Sequence, residues 1–401
     1  MRSIGIEKYF YPFFPLTLVL LVFFIVSGTL FSETSNLPRY RDEKYYIECG
    51  LSYIINSTPP MNCNFEHPPF AKYFIGFFSV FNVARLAYLI LGIASGLMLY
   101  LLVRDLITTG KDHLLGLVVS ALFLFDTIVF NTYRFLLLDP LAVFLSLVSI
   151  YFFQHGHKWA SAVIGGLAVA SKFSVAPIVA GLWLLLLFNG KRFKDSLAYL
   201  ALAFTTYLST FIMNLRLGLD GIIRHHVEMF KYTSWRHGFS PGIAVLGFMK
   251  LIARVEAWRY PGEFTIYIST SDSMVGLVNE TYTPVNKWYL VVYTGGGSPL
   301  WYTLLPGLIY ATYLVLTSKG SRGLILSVFL SWLSLLNVLA GPIDWYYVYT
   351  LPFLYMTLVI LIQQITPRHY KWILLLLTAI HIASFTLTTL GLIPFRVVFV
   401  T

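Results

Sequence analysis

Ten apolar windows of roughly membrane-spanning length follow one another along the chain, at 12–31, 83–103, 114–130, 135–153, 159–188, 196–214, 299–317, 323–340, 345–364 and 371–390. A helix needs roughly 20 mostly apolar residues to cross a bilayer. In lipid the backbone must satisfy its own hydrogen bonds, so repeated windows of this length read as a helical bundle. Composition agrees: 57% of residues are hydrophobic and only 11% charged, where soluble chains carry roughly 25% charged residues. A soluble globular enzyme, a disordered protein and a fibre are excluded. The 159–188 window is too long for one helix and holds Lys172 and Pro177 in its middle. A lysine at the bilayer centre is costly, so this window divides into two short helices with Ser171-Lys172 at the water interface. The expectation is an all-α polytopic membrane protein with about eleven transmembrane helices. The first window, about twenty residues without a small-residue cleavage site after it, reads as a span and not as a removed signal peptide.

Charge placement orients the bundle. With the N-terminus cytoplasmic, that side's short segments carry Arg2, Lys8, Arg104, Lys111, Lys158, Lys191, Arg192, Lys194, Lys319, Arg322, Arg368 and Lys371. The opposite short loops and tail carry only Arg134, Lys172 and Arg396, so the count is twelve to three. This positive-inside bias accounts for much of the net charge of +10 and removes nucleic acid as a partner. The chain then divides into a transmembrane module at 1–214 that includes an extracytoplasmic loop at 32–82, a second extracytoplasmic loop at 215–298, and C-terminal transmembrane helices at 299–401. Both cysteines, Cys49 and Cys63, lie in the first loop, where an oxidising compartment permits a disulfide. The sequons at Asn56 and Asn279 also lie in these loops.

The ionisable residues gather on the extracytoplasmic side. Around Asp42-Glu43, the first loop has Ile47, Leu51, Ile54 and Ile55 at helical spacing, as in an amphipathic helix lying in the interface. His67-Pro68-Pro69 then suits a rigid helix entrance, followed by Lys72 and a stripe of Phe70, Phe74, Phe77, Phe78 and Phe81. Neighbouring helical residues point about 100° apart, so Asp42 and Glu43 cannot do the same job. One suits a substrate and the other a basic neighbour, while two acidic residues in a first helical turn also complement the helix dipole. Arg85, Arg134, Asp139 and Lys172 stand at span ends on the same side. Each alone fits a side chain snorkelling to lipid headgroups; together they form a cationic cluster suited to a polyanionic headgroup. The paired His225-His226 lack metal-ligand spacing, and no Gly-rich phosphate loop or nucleophile elbow accompanies them.

Asp42-Glu43, His67-Pro68-Pro69-Phe70-Ala71-Lys72, Arg85, Leu137-Leu138-Asp139-Pro140-Leu141 and Gly166-Leu167-Ala168-Val169-Ala170-Ser171-Lys172 together resemble the protein O-mannosyltransferases and related lipid-phosphate-sugar transferases of the GT-C class. The resemblance covers about the first half of the chain. It implies a GT-C-type fold with amphipathic interface helices in the first extracytoplasmic loop. It also implies inverting transfer of a hexose, mannose by resemblance, from a dolichyl- or polyprenyl-phosphate donor to a hydroxyl of a protein, glycan or lipid. The family's base maps to Asp42 or Glu43, and its phosphate-binding arginine to Arg85. Lys72, Arg134 and Lys172 are candidates to complete the phosphate clamp, Glu43 and His67 to orient the base or acceptor, and Asp139 to support the cations. The resemblance names no organic cofactor and no metal site, and it leaves room for a divalent cation. The second half departs from the family, because 215–298 is too short for a separate β-trefoil-like module. Its Trp235-Arg236-His237, Trp258-Arg259-Tyr260-Pro261 and Gly295-Gly296-Gly297 suit a lid or a surface loop packed on its own aromatics. A transporter or flippase of lipid-linked sugars is the alternative to an enzyme. Against it stand the absence of an internal repeat and the gathering of polar residues at one face.

Overall fold

The computed structural model describes residues 15–26, 41–107, 113–188, 193–218, 220–236, 255–264, 282–292, 298–337, 344–390, 392 and 397–400. Each expected span holds a helix. These are α1 (Pro15–Val26), α4 (Ala84–Ile107), α5 (His113–Leu124), α7 (Asp139–Gln154), α8 (Lys158–Ser171), α9 (Ala176–Phe188), α10 (Phe193–Ser209), α12 (Trp301–Leu316), α13 (Arg322–Leu335), α14 (Leu351–Ile365) and α15 (Tyr370–Thr389). The loops add α2 (Arg41–Ile55), α3 (Phe70–Val80), α6 (Thr127–Arg134) and α11 (Gly221–Arg236).

Among the described residues, only α4 and α15 reach a full span by length and composition, with α5 and α6 a third if read through their 64° bend. The other span helices are shorter; α7, for example, has 16 residues, about 24 Å of rise. Local chemistry shortens them. Asp126 ends α5 and caps α6, its Oδ1 accepting Ile128 N–H at 2.9 Å and Val129 N–H at 3.3 Å. At Lys172 the backbone turns extended (φ −157°, ψ 131°), and a 3₁₀ turn at Phe173–Val175 leads into α9. The 159–188 window therefore breaks where an intramembrane lysine predicts. A second 3₁₀ turn, Asp344–Tyr349, precedes α14.

The first-loop helices pack differently from their apolar pattern. In α2 the buried residues are Glu43, Tyr46, Cys49, Gly50 and Tyr53, while Ile54 and Ile55 are exposed. In α3 the buried face is Ala71, Lys72, Ile75 and Gly76, and Phe77 and Phe81 are exposed. The reason is close packing of the two helices through glycine. A Cβ at Gly50 would lie 2.7 Å from Gly76 N, and one at Gly76 would lie 2.7 Å from Gly50 Cα. The phenylalanine stripe is therefore divided: Phe70, Phe74 and Phe78 pack partly buried against the core, while Phe77 and Phe81 face outward, as suits a helix on a membrane surface. Cys49 and Cys63 form a disulfide with Cα atoms 5.5 Å apart.

One continuous apolar core joins both halves of the chain, drawing on α4–α9 and α12–α15. A small antiparallel sheet that sequence reading did not foresee is built from β1 (Val255–Phe264), β2 (Tyr282–Val292) and β3 (Val397–Val400) in the order β1-β2-β3. Val255 pairs with Val292, and Tyr289 with Val400, so the sheet joins the second loop to the end of the chain. Arg2, Lys8, Lys111, Lys191, Arg192 and Arg396, the sequon at Asn279, His237 and Gly295-Gly296-Gly297 lie outside the described residues.

Gly50→Ala sets a methyl group against backbone that cannot step aside. The expected loss is about 1–3 kcal/mol, as for an overpacked core, read as a lower thermal midpoint in detergent; an unchanged midpoint would refute the close packing.

Candidate functional site

The site is built on a carboxylate with no solvent exposure. Glu43, in the first turn of α2, accepts from Arg85 Nη1 at 3.0 Å and Nη2 at 3.5 Å. Its Oε1 also accepts Leu136 N–H at 2.7 Å. Arg85, at the start of α4, donates as well from Nη1 to the Arg134 carbonyl at 3.1 Å. The loop helix, the second span and the turn between α6 and α7 therefore meet at one ion pair. Asp42, the next residue of α2, is half-buried.

A second buried pair adjoins the first. Lys172 Nζ lies 2.9 Å from each oxygen of Asp139, and Tyr349 Oη–H donates to Asp139 Oδ1 at 2.6 Å. The Lys172 ammonium also sits 5.4 Å from the Tyr346 ring centre, within cation–π range. Tyr88, one turn along α4 from Arg85, lies in electrostatic range of both Glu43 and Asp139 and donates to the Leu137 carbonyl at 2.5 Å. Arg85, Asp139 and Lys172 are thus drawn around one place, with Glu43 on its loop side and the Arg134 backbone carbonyl on Arg85.

Lys72 and His67 have another setting. Lys72 Nζ donates to the Asn64 carbonyl, to Asn64 Oδ1 at 3.2 Å and to the His67 carbonyl at 2.9 Å. Three ammonium donors meet three oxygens, so Lys72 closes the 64–67 turn from within and does not extend the phosphate clamp in this geometry. Burial lowers its pKa to about 7, an effect that nearby Glu66 partly opposes. His67 is half-buried, with its ring edge-on to Tyr46 at 6.2 Å.

The same turn is held from the second loop. Met61 N–H donates to Asn214 Oδ1 at 3.1 Å, Asn214 Nδ2 meets His225 Nδ1 at 2.8 Å, and His225 Nε2 meets the Phe65 carbonyl at 3.0 Å. A carbonyl only accepts, so His225 carries its proton on Nε2 and accepts at Nδ1. Burial first, then the charge of Lys72 and the neighbouring His226, lower its pKa to about 3, against the bond to Phe65.

Three groups escape sequence reasoning. Tyr349 and Tyr346 stand in an aromatic run with no charge to mark them, and only the fold brings them to Asp139 and Lys172. Asp126 was legible as a lone carboxylate within an apolar window, the signal that intramembrane charges give. Its Oδ2 accepts Trp301 Nε1–H at 2.8 Å and Tyr355 Oη–H at 2.6 Å, which ties α6 to α12 and α14. No group of three or more potential metal-binding side chains occurs among the described residues.

Similar solved structures include ArnT from Cupriavidus metallidurans bound to undecaprenyl phosphate, with a TM-score of 0.50 and 16% identity over 89% of this chain and 60% of that one. They also include the archaeal oligosaccharyltransferase AglB from Archaeoglobus fulgidus in complex with an inhibitory peptide and a dolichol-phosphate, with a TM-score of 0.49 and 13% identity over 95% of this chain and 56% of that one. The chain spans about three fifths of the length of these proteins. No family model matches the sequence, and no curated protein matches it. The likeness to ArnT is one of fold.

Removing one partner of a buried ion pair costs about 3–5 kcal/mol, because the other charge is left uncompensated. Glu43→Ala is therefore expected to lower the thermal midpoint more than the double variant Glu43→Leu with Arg85→Met, which removes both charges. Equal losses would show that the pair is not desolvated.

Proposed function

We propose that the chain is an inverting membrane glycosyltransferase, taking a hexose from a dolichyl- or polyprenyl-phosphate donor to a hydroxyl acceptor at the extracytoplasmic face. The observation that carries this reading is the pairing of Arg85 and Lys172 with two adjoining buried carboxylates, Glu43 and Asp139, next to the half-buried Asp42. The likeness of fold and the motif resemblance point the same way. Mannose is the hexose the resemblance implies, and a protein Ser/Thr, a glycan or a lipid headgroup shares the acceptor chemistry.

The donor sugar is already activated by its phosphate, so the chemistry asked of the protein is small. An acceptor hydroxyl oxygen attacks the anomeric carbon from the face opposite the phosphate, and the carbon–oxygen bond to phosphate breaks. The Asp42 carboxylate takes the hydroxyl proton. Polyprenyl phosphate leaves with the bonding electrons, and the growing charge on its oxygen is met by cations already fixed in place. General-base help of this kind is worth roughly 10²–10⁴ in rate, and preorganised charge at the leaving group supplies a further large part. Glu43 holds Arg85 in position, Asp139 holds Lys172, and His67 borders the acceptor side.

Positive-inside charge places the first and second loops outside the cell or in a lumen, where lipid-linked sugars presented in the outer leaflet reach Asp42. The Cys49–Cys63 disulfide fits that placement.

Purified protein in detergent, given labelled polyprenyl-phosphate mannose and a Ser/Thr-rich peptide, is expected to label the peptide. Asp42→Asn is expected to reduce the rate by about 10²-fold or more while still binding donor. Undiminished transfer by that variant would remove Asp42 as the base, and absence of any polyprenyl-phosphate-sugar binding by the wild type would remove the donor assignment.

A further inference from the structure

The first-loop turn that carries His67 is held at three points. Its start is fixed by the Cys49–Cys63 disulfide and its interior by Lys72, which reaches the Asn64 and His67 carbonyls. The third point lies on another part of the chain: Asn214, in the 3₁₀ turn Ile212–Leu217, and His225, on α11, take Met61 N–H and the Phe65 carbonyl across sequence separations of 153 and 160 residues. Arg216 adds a bond from Nη1 to the Ser57 carbonyl at 2.9 Å. Asn214 and His225 both have no solvent exposure.

Each polar atom of the bridge has one role. Asn214 Oδ1 accepts and its Nδ2 donates; His225 Nδ1 accepts and its Nε2 donates. Reversing any one of them sets two donors or two acceptors against each other. Phe211 packs edge-on to the His225 ring at 5.0 Å. A bridge so buried and directional carries more than packing requires, because an apolar contact of the same size would join the two loops without fixing a register.

We infer that Asn214 and His225 are positioning residues for the His67 turn, through which the second loop sets the geometry of the site on the first. They act through the backbone at Met61 and Phe65 and touch no reacting atom.

The bridge also makes a prediction about acid. The groups facing His225 are Lys72 from α3, His226 on its own helix and Asn214 from the 3₁₀ turn; Tyr207 of α10 lies against His226. Arg216 and Tyr232 border the junction. The folded protein holds His225 neutral down to about pH 3, whereas an unfolded chain protonates it near its ordinary value of 6.5. The stability the bridge contributes is therefore complete above about pH 6.5 and declines as the pH falls towards 3.

The test uses the full chain with His225→Gln, His225→Leu and Asn214→Leu. A glutamine amide donates to Phe65 and accepts from Asn214 as the neutral imidazole does, and it does not titrate; leucine does neither. Amide hydrogen exchange over residues 60–69 is the first readout and is independent of the glycosyltransferase reading. Both leucine variants are expected to raise exchange at Met61 and the following turn by about tenfold or more, with exchange in α4 and α14 unchanged, while glutamine retains wild-type protection. Wild-type protection should fall between pH 6.5 and 3, and that of the glutamine variant should not. The second readout rests on the proposed function: the leucine variants lower kcat for transfer with donor KM unchanged, and glutamine restores it. Protection over 60–69 that survives both leucine substitutions would overturn the inference, whatever the activity. Lost protection with unaltered kcat would overturn the positioning role. A wild type without transferase activity would count against the proposed function alone and leave the exchange result to decide the bridge.

Discussion

The bond between Glu43 and Arg85 is the interaction on which the rest of the site depends. In a bundle surrounded by lipid, burying apolar surface between helices gives little preference for one arrangement, because lipid tails are equally apolar. Polar contacts then do more of the selecting. A carboxylate with no exposure must find a cation and hydrogen-bond donors or carry the cost of its own desolvation. Glu43 finds Arg85 on α4 and the Leu136 amide before α7. That single requirement fixes where the first-loop helix lies on the bundle, and it presents Asp42, one residue away, to a different direction.

Two further carboxylates repeat the device and bring in the C-terminal half. Asp139 gathers Lys172 and Tyr349, and Asp126 gathers the N-terminal amides of α6 together with Trp301 and Tyr355. Each node joins helices separated by more than a hundred residues, and each satisfies several donors at once, as a buried polar network must to stabilise a fold. The C-terminal helices thereby complete a site whose recognisable motifs all lie in the first half.

Much of this was legible in the sequence. The apolar windows foretold the helices, and Lys172 with Pro177 foretold the break between α8 and α9. Glu43, Arg85, Asp139 and Lys172, which the structure joins in two buried pairs, were legible as candidates because ionisable groups at span ends on one side have few other reasons to be there. The faces of α2 and α3 were not, since the pattern of isoleucines and phenylalanines identifies an apolar side without saying whether protein or lipid covers it. At Gly50 and Gly76 the need for close backbone contact decided the matter. Lys72 could not be assigned because its partners, the Asn64 and His67 carbonyls, are backbone atoms that any residue would provide. Tyr349, Asn214 and His225 act across 153 to 210 residues of sequence, beyond the reach of spacing arguments. The β1-β2-β3 sheet likewise depends on pairing between distant segments.

The central claim is that Arg85, Arg134 and Lys172 hold a lipid phosphate with Asp42 across from it. A structure of the protein with polyprenyl phosphate bound tests this most directly, by the distances from phosphate oxygens to these side chains. The account predicts phosphate oxygens within hydrogen-bond range of Arg85 and at least one of the other two cations, with the Asp42 carboxylate on the opposite side of the space left for a sugar. A phosphate bound elsewhere, or one that approaches Asp42 and leaves the cations in their present pairs, would contradict it.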